Sequence, residues 1–298
     1  MKCLLIFNPI AGKGIVGRAV SRLSAELGRR GFEVELYQTR HPGDAREKAS
    51  RDGRGYELVL CAGGDGTVNE VLNGLARTET PLMVCPLGTG NVAAKELRIR
   101  FSFGPLLRTI AAGHALRVDL GTANGRFFFN MAGVGFDALV THLYHSRFRR
   151  GNMRMIEYVP VALRTFSEYR YPTIRVRTPA FAGEAGFVVV ANSSSYGGPF
   201  CFCPSASLLD GELDVNLMPG RRPRDFIRYT VAAFLNMMPA MHDVKFVRAR
   251  EVVVDASEPT PYQVDGDAAG WTPVRIEVVP RAVTVLVPPG TPGAGRLW

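Results

Sequence analysis

"CAGGDGTVNEVLNG" occupies residues 61–74. The apolar run Tyr56–Cys61 leads into it and reads as a strand, and Val68–Ala76 follows with helical spacing. Between them lie Gly63, Gly64 and Gly66, with one carboxylate, Asp65. Thr67 as N-cap with Glu70 three positions on makes "TVNE" a capping box, which predicts a helix starting at Val68. The glycines allow a sharp turn and let backbone N–H groups approach a ligand. Helix N-termini favour anions through unpaired N–H groups and the helix dipole. The stretch therefore reads as a phosphate cradle. Asp65 would repel phosphate unless a cation stands between them, and Mg²⁺ commonly joins one or two carboxylates to phosphates. A Gly-Asp-Gly turn without a ligand is the plain alternative.

Two more glycine-rich loops decide between these readings. "NPIAGKG" at 8–14 follows the strand Lys2–Phe7, and "PLGTGN" at 86–91 follows the strand Leu82–Cys85. Around them the chain alternates. Val16, Ala19, Val20, Leu23 and Leu27 share a helix face with Gly31 as its C-terminal cap, Phe32–Tyr37 is a strand, and Asp44–Ser50 and Val92–Leu97 are short helices. Such alternation predicts a parallel sheet covered by helices, with ligand beyond the carboxyl ends of the strands. Three glycine loops on one sheet edge make a nucleotide site. "GKG" at 12–14 lacks the Ser/Thr and upstream Gly of a P-loop. "GTGNVA" at 88–93 has dinucleotide-fingerprint spacing, yet no acidic residue lies between Glu96 and Asp119 where that motif needs one.

Near residue 120 the pattern changes to hairpins. Asn124-Gly125 between two apolar runs is a hairpin signal. Thr173–Arg177, Gly186–Asn192, Glu212–Leu217, Val244–Asp255, Tyr262–Val264 and Val274–Val287 read as strands, and Met153–Glu168 and Asp225–Met238 as helices. The expectation is an α/β domain over 1–121 and a mainly antiparallel β domain over 122–298, with a tail of turn composition free to return to the first domain.

Composition sets outer bounds. A net charge of +9 favours anionic partners, but no aromatic-interleaved basic motif points to nucleic acid. Five cysteines, three in predicted buried strands, suit reduced thiols in the cytoplasm better than a disulfide framework. "MKCLLIF" stops at Asn8-Pro9, too short for a signal peptide, and Thr230–Met241 falls short of the roughly 20 apolar residues of a membrane span. His142 and His145 lack a third metal ligand. "NMMPAM" at 236–241 reads equally as acyl-channel lining or as helix core.

"NPIAGKG", "GGDGTVNEVLNG", "PLGTGN", "VDLG" at 118–121, "LLDGELDV" at 208–215 and "YQVDGDA" at 262–268 stand in the order of the diacylglycerol kinase catalytic superfamily. Over nearly its whole length the chain resembles the single-chain bacterial lipid kinases, relatives of sphingosine and ceramide kinases. That resemblance implies a Rossmann-like first domain of NAD-kinase/diacylglycerol-kinase type, with ATP in a cleft before a β-rich lipid-substrate domain. It implies ATP contacts from Asn8, Pro9, Gly12, Lys13, Thr39, Gly63, Gly64, Asp65, Gly66, Thr67, Asn69, Glu70, Gly88, Thr89 and Asn91. Mg²⁺ would be organised by Asp65 and Asp119, and a second, structural cation would be held largely by backbone carbonyls of the turn at Ser207, Asp210 and Glu212. Asp265 maps to the catalytic base, with Asp267 beside it.

Two departures stand out: Val92 replaces a second metal-organising aspartate, and Asp267 replaces a glutamate. The expected function is ATP- and Mg²⁺-dependent phosphorylation of a lipid hydroxyl, on diacylglycerol or a related glycerolipid or sphingolipid. The alternatives are a GGDGT-type kinase of a soluble acceptor such as NAD, and a catalytically weakened binding homologue. The expected partners are a lipid substrate and the anionic inner face of the membrane, met peripherally from the cytoplasm. Nucleic acid is not among them, and a homodimer is left open.

Overall fold

The computed structural model describes residues 1–298 except 15, 149–160, 162–163, 167–168 and 197–198. It divides into two units, one of Met1–Asp119 with Arg281–Trp298, the other of Leu120–Pro280.

In the first unit β1 (Lys2–Phe7), β2 (Glu33–Gln38), β3 (Leu58–Gly63) and β4 (Leu82–Pro86) form a parallel sheet ordered β2-β1-β3-β4. Helices α1 (Val16–Arg29), α2 (Asp44–Asp52), α3 (Asp65–Leu75), α4 (Val92–Glu96) and α5 (Phe103–Ala112) separate and follow these strands. Strands β1, β3 and β4 are apolar and almost wholly buried, as a sheet covered on both faces requires. β1 pairs with β2 on one side and β3 on the other, so the strand order reverses there. Loops after β1 and β3 thus diverge around the crevice where doubly wound sheets take ligands. Gly31 has φ +84 and closes α1, with the Phe32 N–H donating to Leu27 O at 3.1 Å.

The last strand of this sheet comes from the far end of the chain. β16 (Val274–Leu286) leaves the second unit, and Val285 pairs in parallel with Leu82 of β4. The Arg77 N–H donates to Ala282 O nearby. The tail expected to be irregular is partly ordered: β17 (Gly295–Arg296) pairs with β5 (His114–Ala123), and Trp298 Nε1 donates to Ile110 O at 3.3 Å. Helix α5 has no counterpart among the expected elements, and Gly104-Pro105 stands in its first turn. In the first turn Pro105 costs nothing, since its missing N–H would have no partner there.

The second unit is a pair of antiparallel sheets. One runs β12 (Lys245–Ala249), β11 (Leu213–Met218), β10 (Phe187–Ala191), β7 (Met131–Val134), β14 (Pro261–Val264), β15 (Asp267–Trp271). The other contains the first half of β16, then β13 (Glu251–Ala256), β8 (Ile174–Thr178) and β9 (Phe181–Ala185). Val134, Val188, Val190 and Val215 of the first sheet and Ile174, Val176, Val252, Val254 and Ile276 of the second share one buried core. Asn124 (φ 47) and Gly125 (φ 84) make the expected hairpin from β5 into β6 (Arg126–Phe128). The predicted single strand 244–255 is two strands in different sheets, divided at Arg250.

Helices α6 (Phe136–Phe148) and α7 (Pro223–Phe234) supply Phe136, Val140, Tyr229 and Ala233 to a second core, together with Met238. Met238 of the "NMMPAM" stretch is therefore core. The helix predicted at 153–168 and most of the arginines of 147–154 lie outside the described residues. All five cysteines are unbridged. Among the described residues no helix is long and apolar enough to cross a membrane.

Candidate active site

The three glycine loops do meet on the carboxyl edge of the first unit's sheet. Asn8 Nδ2 donates to Thr67 Oγ1 at 3.4 Å, joining the loop after β1 to the start of α3. A Cβ on Gly12 would lie 2.5 Å from Leu87 O, so the first loop touches the third. A Cβ on Gly88 would lie 2.4 Å from the Gly64 Cα, so the third touches the second, backbone on backbone. Asn91, itself at φ 52, clamps its loop: the Gly88 N–H donates to its Oδ1 at 2.9 Å and its Nδ2 donates to Gly88 O at 2.8 Å. Thr39 joins this edge through its N–H to Phe7 O at 2.9 Å. Thr89 is exposed, whereas Pro9 and Gly66 are half-buried. The Lys13 side chain lies outside the described residues.

Helix α3 begins earlier than the capping box predicts. It starts at Asp65 with Gly64 as N-cap, so Thr67 lies inside its first turn. Glu70 is drawn away instead: its carboxylate accepts the N–H groups of Gly43 (2.8 Å) and Ala45 (3.1 Å), closing the N-terminus of α2. Asn69 is buried and accepts Asn73 Nδ2 at 2.6 Å. Both were expected to contact ATP; the Glu70 carboxylate is engaged by the loop after β2 and the start of α2, and Asn69 by Asn73.

Asp65 caps a different helix from its own. Its Oδ1 accepts the Val92 N–H at 2.6 Å, at the start of α4. Burial raises its pKa, against the N–H groups of Val92, Asn91 and Ala93, which lower it. A Cβ on Gly90 would fall 2.5 Å from Oδ2, so only glycine there leaves that oxygen its space. That space, beside loops shaped for phosphate, fits the mode in which Mg²⁺ takes one carboxylate plus phosphate oxygens. Asp119 is buried and accepts the Arg281 N–H at 2.7 Å, anchoring the returning strand.

The turn expected to hold a second cation through its backbone carbonyls has an arginine on its carboxylates. Arg248 reaches into the turn after Ser207 and pairs with Asp210, with Glu212 (3.7 Å) and with the buried Asp214 (3.6 Å). Its guanidinium supplies the positive charge there. Among the described residues, no three His, Cys, Asp or Glu side chains gather as a metal group.

In the second unit Asp265 and Gly266 form the two-residue turn between β14 and β15, at φ 49 and 86. Aspartate tolerates this left-handed region, and both residues suit a tight hairpin. The turn aims the carboxylate at the start of β7 and the two residues before it, where three N–H groups reach it: Phe129 (2.7 Å), Asn130 (2.8 Å) and Met131 (3.0 Å). Burial pushes its pKa up to about 6 despite these donors. Asp267 instead pairs with Arg126 at 2.9 Å, on the outer side of the hairpin.

Beneath the turn lies a polar group that the sequence reading passes over. Gln263 Oε1 accepts the Gly266 N–H at 2.7 Å, and its Nε2 reaches Asp137 Oδ2 and the Tyr196 hydroxyl, each at 3.3 Å. Tyr196 donates to Asp137 at 2.7 Å, and burial with that carboxylate drives its pKa well up. Gln263 is a polar residue in an otherwise apolar strand two positions before Asp265, a signal available in "YQVDGDA".

Two family models cover the chain: the diacylglycerol kinase catalytic domain matches residues 2–123, and the YegS C-terminal NAD kinase beta sandwich-like domain matches 130–287. The protein named "Probable lipid kinase YegS-like" from Pseudomonas aeruginosa PAO1 is 32% identical over 298 residues, covering 98% of this chain and 96% of the relative. The "Diacylglycerol kinase" of Mycobacterium tuberculosis H37Rv is 30% identical over 295 residues, covering 96% and 95%. A solved diacylglycerol kinase structure from Bacillus anthracis str. Sterne shares the fold at a TM-score of 0.74 and 24% identity, covering 97% of each chain. With both domains matched and full-length relatives at this identity, the chain belongs to the diacylglycerol kinase catalytic superfamily, in its bacterial YegS-like lipid kinase branch.

Proposed function

We propose that the protein is an ATP-dependent lipid kinase that transfers the γ-phosphate to the hydroxyl of diacylglycerol or a related glycerolipid or sphingolipid. The observation that carries the chemistry is Asp265, a carboxylate with a pKa of about 6 held by three N–H groups in a rigid turn.

Near neutral pH most of it is ionised and able to accept a proton, and its pKa is well matched to general-base work. The lipid hydroxyl oxygen forms the new bond to the γ-phosphorus as the bond to the β,γ-bridging oxygen breaks. The hydroxyl proton passes to the Asp265 carboxylate and ADP departs with the bridging oxygen. The loops at 8–14, 63–67 and 87–91 hold the nucleotide phosphates through backbone N–H groups. Asp65 is the residue that would hold Mg²⁺, which when bound neutralises phosphate charge. Gln263 keeps the turn in shape through Gly266 and so positions Asp265.

Transfer of radiolabel from ATP to a panel of diacylglycerol, monoacylglycerol, ceramide, sphingosine and NAD tests the proposal. Labelled lipid is the expected product. Label on NAD alone, or on none of the panel, would overturn it.

A further inference from the structure

Helix α7 carries apolar side chains on both of its faces. Tyr229, Ala232 and Ala233 point into the core. On the opposite side Ile227, Val231, Phe234, Leu235 and Met237, just past its end, are each 51–56% exposed. The first four fall at spacings of three and four residues, so they form one continuous stripe. A solvated helix face is ordinarily polar, and a run of large apolar side chains of this kind marks a surface that meets something.

Its charges say what. Arg221, Arg222, Arg224 and Arg228 are all exposed. Arg221 pairs with Glu184 at 3.3 Å, Arg224 with Asp225 at 4.0 Å and Arg228 with Asp243, but such exposed pairs are weak and leave the guanidinium groups able to exchange onto phosphates. Three of these arginines lie before or within the first turn of α7, where cations oppose the helix dipole. Arg222 is the N-cap residue, its N–H donating to Asp225 at 3.1 Å, and Arg224 and Arg228 stand three residues before Ile227 and Val231, beside the apolar stripe. Arginines next to exposed Ile, Val, Phe and Leu match a partner that is anionic at its surface and apolar just beneath it.

We propose that α7 seats the protein on an anionic bilayer, with Ile227, Val231, Phe234 and Leu235 entering the acyl boundary and the arginines meeting the headgroups. This deepens the lipid-kinase reading by naming where the protein meets the membrane that carries its acceptor.

The test is co-sedimentation with phosphatidylcholine vesicles and with vesicles that also contain phosphatidylglycerol. The wild-type protein is expected to sediment with the anionic vesicles and to be released by salt. Val231→Gln with Phe234→Gln should weaken this binding about tenfold or more. Arg221→Gln with Arg222→Gln and Arg224→Gln should abolish the preference for anionic over neutral vesicles. None of these side chains belongs to the buried face of α7, and circular dichroism checks that the fold is kept. Wild-type binding in both folded variants would overturn the proposal. So would a wild-type dimer, seen by light scattering, that becomes monomeric in the Val231/Phe234 variant while vesicle binding is unchanged; α7 would then face a second copy. Sedimentation needs no phosphoryl transfer, so an inactive protein that still binds vesicles sinks the kinase reading and leaves this one standing.

Discussion

Asp265→Asn separates catalysis from stability because two opposing effects on the fold are of similar size. At pH 7 the ionised carboxylate, held at about 6 instead of its ordinary 3.8, destabilises the fold by about 3 kcal/mol relative to a neutral group. Asparagine removes that charge. It also sets an NH₂ against one of the N–H groups of residues 129–131, and an unpaired buried donor costs about 1–3 kcal/mol. Asparagine is at ease at φ 49, so the turn itself is kept. The net change in stability at pH 7 should therefore stay within about 2 kcal/mol, while kcat falls about 10²–10⁴-fold with the loss of the base.

The pH behaviour supplies a second readout. A raised carboxyl pKa favours the folded state below 3.8, and that contribution is lost as pH climbs through about 6. Activity runs the other way, rising with pH through about 6 as the base ionises. Both dependences should vanish in Asp265→Asn. The assays are turnover and urea unfolding on one preparation across pH 4.5 to 8. Near-wild-type turnover in the folded variant, or a wild-type rate profile flat through 6, would refute the reasoning.

Gly88→Ala drives a Cβ onto the Gly64 backbone, so ATP binding by calorimetry should be lost along with about 1–3 kcal/mol of stability; retained nucleotide affinity would contradict the loop geometry. Glu70→Ala should cost about 1 kcal/mol through the lost α2 cap while ATP affinity holds; weakened ATP binding at unchanged stability would return Glu70 to the phosphate site. Arg248→Met leaves Asp210, Glu212 and Asp214 without their cation. The variant should lose about 1–3 kcal/mol, discounted for the half-exposed arginine, and Ca²⁺ or Mg²⁺ should raise its melting temperature but not that of the wild type.

The glycine loops were legible in the sequence because their signal is local: each follows directly on an apolar strand, and parallel strands bring such loops to one edge. Asp65 and Glu70 show where local reading fails. The pattern "TVNE" is a sound capping box, yet Glu70 finds better donors 27 and 25 residues away on α2, and Asp65 spends its oxygen on Val92. Asp265 was found by motif, but its three donors lie more than 130 residues upstream. Arg248 was invisible for the same reason, since nothing in "VKFVRARE" announces carboxylates at 210–214. The change of sheet at Arg250 escaped because apolar alternation continues across it.

The return of β16 bears on how the protein is made. The strand that pairs with Leu82 is synthesised some 200 residues after it, and Asp119 meets its backbone partner only at Arg281. During synthesis β4 must wait with an open edge while the whole second unit emerges from the ribosome. A chain interrupted after residue 121 would hold every glycine loop yet lack the strand that closes their sheet, and an open β edge invites pairing with other chains. Nucleotide binding should therefore appear late in synthesis, and early termination should yield aggregates in place of a working half-enzyme.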